Sequence, residues 1–408
     1  MTPTHTKKHK RDLIWFPLAL VIFEFAVYIG NDLVQPAMLT ITREFRVDDS
    51  WVASSMSLYI LGGAILMWLI GPLSDRYGRR KVMLAGTLYY AVTNLLILFS
   101  FNIESFMLMR LLQGISHCFI GAVGYVSIQE SFRETTAIKV MAIMANIALI
   151  APLLGPLAGA AIISYVSWHW GFILIAGITC LSLIGLYRHM PETVDLAAPK
   201  EPMASIWAHY KTTLRNRNFI QLALFSPIIG LPMLVWIGLS PVFLIKDLGL
   251  SNMGYAQAQI PIFACLILGN VILARVSGKV PVGQTVYYAL PLVVSGGLCL
   301  LLAGLIPAFA LTGLILGMSL LALSQGLSFA VLYRLTLLSS QAPKGVVAAA
   351  MSLIMMLMSA ISIELFKWLY VIAHLPWLCI ACATLAAIYA LLTTPVMRLA
   401  MRKPGHNG

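Results

Sequence analysis

Long stretches almost free of charge recur along the whole chain, and they limit what it can fold into more than any other feature. Twelve can be marked, near 13–40, 50–70, 82–101, 105–127, 138–164, 168–188, 219–245, 254–275, 285–306, 308–332, 345–372 and 375–396. A helix that crosses the hydrocarbon core of a bilayer needs about 20 apolar residues. Only a helix satisfies its own backbone polar groups within one such segment, so each run is expected to be a spanning helix. Composition supports this: 60% of the 408 residues are hydrophobic and 10% are charged, against about 25% charged in a soluble domain. So few polar groups could not cover a water-facing surface.

The formal net charge of +12 raises the question of nucleic acid, but the basic residues sit in short clusters between apolar runs, as topology signals do. If both termini are cytoplasmic, 22 of the 27 Lys and Arg fall on that side. They include Lys7, Lys8, Lys10 and Arg11, the 2–3 loop Arg76, Arg79, Arg80 and Lys81, the central Lys200, Lys211, Arg215 and Arg217, and the terminal Arg398, Arg402 and Lys403. The opposite side has Arg43, Arg46 and Lys246, while Arg110 and Lys367 lie within spans. A multi-pass inner-membrane protein with both ends inside is expected, with no nucleic-acid partner. No cleavable leader is expected either, because the first apolar run carries Glu24 and Asp32 rather than a small-residue cleavage site.

The longest polar stretch, 189–218, contains Pro191, Pro199 and Pro202. It divides the chain into six-helix halves, 1–188 and 219–408, joined by a cytoplasmic linker. Six plus six is the arrangement of carriers built from two parallel repeats. The six cysteines, Cys118, Cys180, Cys265, Cys299, Cys379 and Cys382, all fall in apolar segments and read as small buried hydrophobes. Cys379 and Cys382 have redox-motif spacing but lack the soluble context of such motifs.

Charged groups at membrane depth cost about 2.5–3.5 kcal/mol each on insertion scales, so those present are functional candidates. Glu24 and Asp32 on span one are eight residues apart, about 12 Å along a helix and about 80° around it. Tyr28 lies four from each, and Asn31 adds to the stripe. Low-dielectric surroundings disfavour a bare carboxylate and a neighbouring guanidinium favours it. A carboxyl balanced between these influences can exchange a proton for a cation. Arg110 on span four, with Gln113 one turn on, needs acceptors that the span-one stripe could supply. On span eleven Glu364 and Lys367 are spaced to pair with each other. Glu130 and Arg334 fall at the cytoplasmic ends of their spans.

The 2–3 loop reads Gly71-Pro72-Leu73-Ser74-Asp75-Arg76-Tyr77-Gly78-Arg79-Arg80-Lys81, a turn in which Asp75 and Arg79 have the spacing of a helical charge pair. The ordered pattern resembles the signature loop of the major facilitator superfamily, where it latches helices. Arg110-Leu-Leu-Gln113-Gly114 is similar to that family's span-four motif, associated with proton transfer. Ala151-Pro-Leu-Leu-Gly155-Pro156-Leu-Ala-Gly159 is similar to its span-five antiporter motif. Physically, the prolines weaken the helix while Gly155 and Gly159 offer a small face for close packing. Span one, Tyr28-Ile-Gly-Asn31-Asp32-Leu-Val-Gln35-Pro36 with Glu24 upstream, and Cys118 through Glu130 resemble the multidrug/proton antiporters of the MdfA and CraA type.

The resemblance implies an all-α fold of twelve helices in two bundles around a central cavity. It also implies proton-coupled efflux of lipophilic cationic and neutral drugs, of the chloramphenicol type among them, by a monomer with lipids around it. Glu24 and Asp32 would be the proton and drug carboxylates, with Arg110 tuning them. Asp75, Arg79, Glu130, Arg334, Gly155, Pro156 and Gly159 would serve gating. Among 20 methionines suited to an adaptable pocket, Met144 is grouped with Tyr28, Asn31, Gln113, Asn146 and Trp236 as candidate drug contacts. A nutrient or metabolite carrier on the same fold is the competing expectation, since fold does not fix cargo. An intramembrane enzyme would need a nucleophile–base or metal-ligand set. His117 beside Cys118 has no second His or adjacent carboxylate, so no enzyme activity, cofactor or metal is expected.

Overall fold

The computed structural model describes residues 6–195, 202–276, 279–281 and 283–401, so Lys200, Arg402 and Lys403 of the charge count lie outside the described residues. The chain is helical almost throughout. In the first part come α1 (Thr6–Asp32), α2 (Met38–Glu44), α3 (Trp51–Ile65), α4 (Met67–Tyr77), α5 (Arg79–Leu96), α6 (Ile103–Gly114), α7 (Ser116–Phe119), α8 (Tyr125–Ser131), α9 (Glu134–Tyr165) and α10 (His169–His189). Then follow α11 (Met203–Arg215), α12 (Arg217–Phe225), α13 (Leu231–Ser240), α14 (Asn252–Val276), α15 (Gln284–Tyr288), α16 (Leu290–Leu305), α17 (Ala310–Leu338) and α18 (Lys344–Met401).

Among the described residues nine helical stretches are long and apolar enough to cross a bilayer, and α3 with α4, bent by 43°, makes a tenth. One of the nine belongs to α18, which is two helices joined at His374, where φ is 60° and ψ is −169°. The shorter apolar stretch Ile150–Tyr165 lies within α9. These numbers are compatible with the twelve spans expected.

Several spans depart from a single straight helix. The first, marked near 13–40, is one candidate span, Ile14–Glu44, but its α-helix ends at Asp32 and passes through a 3-10 turn, Gln35–Ala37, before α2. Pro36 lacks the N–H that a continuing helix would need, and its ring crowds the preceding turn. The fourth span is α6 and α7, which meet at Ile115, and α8, joined to α7 by a π turn at Ile120–Gly124. Such wide turns re-aim the side chains on either side of them and are frequent at functional sites.

The chain divides into two compact units. One comprises Met1–Asp48 and Leu58–Met203; the other comprises Asp49–Ser57 and Ala204–Gly408. In the first, α1 packs on α9 and α10, and α10 on α5. In the second, α16 packs on α17 and α18, and α14 on α17. Asp49–Ser57 is tied into the second unit by polar contacts. Lys246 Nζ lies 2.7 Å from Asp49 Oδ2. The expected Glu364–Lys367 pair forms. Glu364 also accepts from Ser57, and Lys367 Nζ donates to Ser54 Oγ at 2.8 Å.

The polar stretch after α10 is more structured than a plain linker. It contains α11, which buries Tyr210 and Thr213 on one face, positions three apart that share a side of a helix. Burial pushes the Tyr210 hydroxyl up to about 12.

Candidate functional site

The first unit holds a line of polar side chains between α1 and the fourth span. Arg110 is wholly buried. Its Nη2 donates to Asn31 Oδ1 at 2.9 Å and its Nη1 to Gln113 Oε1 at 3.0 Å. Asn31 in turn donates from Nδ2 to Asp32 Oδ1 at 3.1 Å. The guanidinium carbon lies 4.5 Å from the centre of the Tyr59 ring, a cation–π distance. Gln113 continues the network to Asn94 Oδ1 at 3.3 Å. A buried cation persists only when paired and hydrogen-bonded, and here the amide of Asn31 stands between it and the Asp32 carboxylate.

Glu24 lies two turns further back on α1 and is wholly buried. Tyr125, the first residue of α8, donates its hydroxyl to Glu24 Oε1 at 3.0 Å. Glu24 Oε2 has no hydrogen-bond partner among the described residues. Buried polar atoms are rarely left unpaired, and each exception calls for a reason. Tyr28, one turn along, is partly exposed and meets the His117 ring edge to face at 5.1 Å.

Asp32 is held by the span-five motif. A Cβ on Gly155 would lie 2.6 Å from Asp32 Cβ, and one on Gly159 would lie 2.1 Å from the Leu33 carbonyl oxygen and 2.8 Å from Pro36 Cγ. The two glycines thus let α9 press directly on the break that follows Asp32. Pro156 sits between them, inside α9.

At the other end of α4 the expected charge pair forms, with Arg79 Nη1 2.8 Å from Asp75 Oδ1. The same guanidinium grips Glu130 with two bonds, Nε to Oε2 at 2.6 Å and Nη2 to Oε1 at 2.8 Å. That forked geometry is the strong form of an Arg–carboxylate contact. Thr193 Oγ1 donates to Glu130 at 2.6 Å, and Glu192 accepts from the Arg79 backbone N–H at 2.9 Å. Gly78 turns the chain with φ of 99°, and a Cβ there would meet Glu192 Oε2 at 2.4 Å, so both backbone angle and space require glycine.

The other sequence candidates are placed separately. Met144 is buried and Asn146 is exposed on α9. Arg334 is exposed near the end of α17. Trp236 belongs to the second unit, buried, with its indole N–H donated to Gln259 Oε1 at 2.6 Å. Sequence reasoning missed Tyr125, Tyr59, Asn94, Glu192 and any site role for His117. A polar or aromatic residue among apolar ones is a weak signal until its neighbour is known. Tyr125 could have been reached from its place eight residues beyond His117 on the Arg110 helix.

Among the described residues no group of three or more His, Cys, Asp or Glu could hold a metal ion. Buried Asp32 is linked through Asn31 to buried Arg110, and buried Glu24 lies two turns away on the same broken span. The sequence matches the Major Facilitator Superfamily over residues 20–366. It is 48% identical over 375 residues to the chloramphenicol resistance protein CraA of Acinetobacter baumannii, covering 92% of this chain and 91% of that protein. It is 50% identical over 369 residues to the multidrug transporter MdfA of Edwardsiella ictaluri, covering 90% of each. Among solved structures, a bacterial homolog of the human lysosomal transporter Spinster matches with a TM-score of 0.74 at 13% identity, covering 98% of this chain and 100% of that one. The nucleoside transporter NupG matches at 0.70 and 12%, covering 93% and 99%. The chain belongs to the major facilitator superfamily. It is a multi-pass membrane transporter and not an enzyme.

Proposed function

We propose that this protein exports lipophilic cationic and neutral drugs, chloramphenicol-type antibiotics among them, across the bacterial inner membrane by alternating access, in exchange for protons. It works as a monomer with both termini in the cytoplasm. The observation that carries this reading is Glu24: a carboxylate inside a membrane span, one oxygen on Tyr125 and the other without a hydrogen-bond partner among the described residues. An acid in that state can take a proton or a cationic drug. Two near-half-identical relatives that bear the names of a chloramphenicol resistance protein and a multidrug transporter support the choice of cargo.

Asp32 is the coupling acid in this scheme. Asn31 links the two groups, accepting from Arg110 and donating to Asp32. The driving force is adequate: a proton moving through about 100 mV gains about 2.3 kcal/mol, and each pH unit adds about 1.4 kcal/mol. Tyr28, Asn31, Gln113, Met144, Asn146 and Trp236 contact drug. Asp75, Arg79, Glu130, Arg334, Gly155, Pro156 and Gly159 govern the conformational change.

A drug-susceptibility panel in an efflux-deficient host, with wild type beside Glu24→Gln, tests the reading. Wild type should raise resistance to both drug classes, and Glu24→Gln should lose the cations selectively. Wild type that protects against neither class would refute it.

A further inference from the structure

Three residues of the fourth span face three of α1. Arg110 bonds to Asn31, His117 packs on Tyr28, and Tyr125 bonds to Glu24. The helices run in opposite senses, so these contacts form successive rungs. His117 lies between the two hydrogen-bonded rungs.

The middle rung alone lacks a hydrogen bond. The His117 ring stands edge to face against Tyr28 at 5.1 Å and against Tyr59 at 5.2 Å. The Gly114 carbonyl one turn back lies close to the ring, yet Nδ1 makes no hydrogen bond among the described residues. Imidazole offers both a donor and an acceptor, and an apolar residue would fill the same slot between two tyrosines. His117 and Tyr28 are both partly exposed; Nδ1 itself is buried, so a ligand lying along Tyr28 meets the ring at its other edge. The unpartnered Glu24 oxygen is one turn away on the same face of α1.

We propose that His117 is a specificity-determining residue that hydrogen-bonds the hydroxyl or carbonyl groups of uncharged drugs, while Glu24 serves cations. The inference rests on the drug-export reading above and assigns that site its second polar anchor.

Two probes separate the roles. Chloramphenicol is neutral and rich in hydroxyl and amide groups; tetraphenylphosphonium is a cation with no hydrogen-bonding group. Their equilibrium binding would be measured on the purified full-length protein in detergent. His117→Phe keeps a flat ring between the tyrosines and removes both nitrogens. It should weaken chloramphenicol binding about fivefold, the size of one neutral hydrogen bond, and leave tetraphenylphosphonium within about twofold. His117→Asn should recover part of the chloramphenicol affinity. His117→Leu is a second nitrogen-free variant with the same expectation, should the Phe variant not fold. Equal loss of both probes, or loss of neither, in a folded nitrogen-free variant overturns the assignment. Wild type that binds neither probe overturns the export reading and the assignment with it. Wild type that binds both, with cation-selective loss in Glu24→Gln but no change in His117→Phe, overturns the histidine alone.

Discussion

Glu24 keeps one oxygen on Tyr125, and the other has no hydrogen-bond partner among the described residues; that asymmetry sets what its variants should do. Glu24→Gln retains the size and the contact with Tyr125 but not the charge. Resistance to cationic drugs should fall at least several-fold while resistance to neutral ones persists, as read in a susceptibility panel. Tyr125→Phe removes one hydrogen bond to a charged acceptor, worth about 1.5–3 kcal/mol where it is made. The freed carboxylate should bind protons differently, so the pH profile of cation export should shift while that of Glu24→Gln flattens. Asp32→Asn leaves the Asn31 bond geometry possible but removes the exchangeable proton. Addition of a neutral drug, which does not displace a proton from Glu24, should then release no protons from the purified variant into a weakly buffered solution, and unchanged release would exclude Asp32 as the coupling acid.

The broken first span and the proline-bearing α9 act together as elements. Because Gly159 meets the Leu33 carbonyl, with a notional Cβ only 2.1 Å away, Gly159→Ala must push α9 off the break that follows Asp32. That variant should be less thermally stable than wild type and should export neither drug class, whereas Glu24→Gln discriminates between them. The cytoplasmic cluster is also a unit. Arg79 holds Asp75 and Glu130 at once. Lys at position 79 could supply charge but not the two-pronged grip on Glu130. Arg79→Lys and Glu130→Gln should each slow export, and the double variant should be little worse than either, as interacting residues are not additive.

For the molecule as a whole, the distribution of Lys and Arg dictates orientation. A green fluorescent protein fused after Gly408 should fluoresce, and alkaline phosphatase at the same place should be inactive; the reverse result would invert the proposed topology. The two units part at Met203 and Ala204, inside the polar stretch, and Asp49–Ser57 groups with the second unit. Yet Glu192 and Thr193, within that stretch, are hydrogen-bonded to Arg79 and Glu130, and Met203–Arg215 is a helix. A polar composition announced a connection between halves, but could not show that its first residues are bonded into the charge cluster of the first unit.

Sequence by itself determined the membrane class, the helical fold and the unusual charges. Each follows from a cost paid locally, since an unpaired backbone or a bare carboxylate in hydrocarbon is unfavourable wherever the neighbours lie. Glu24, Asp32 and Arg110 stood out for that reason. Which partners those charges have was decided only when helices crossed. Asn31 stands between Arg110 and Asp32, Tyr125 reaches Glu24, and His117 lies between two tyrosines. Such pairings depend on helix register, on the turn after Asp32 and on the π turn before Tyr125, which no single-residue cost encodes.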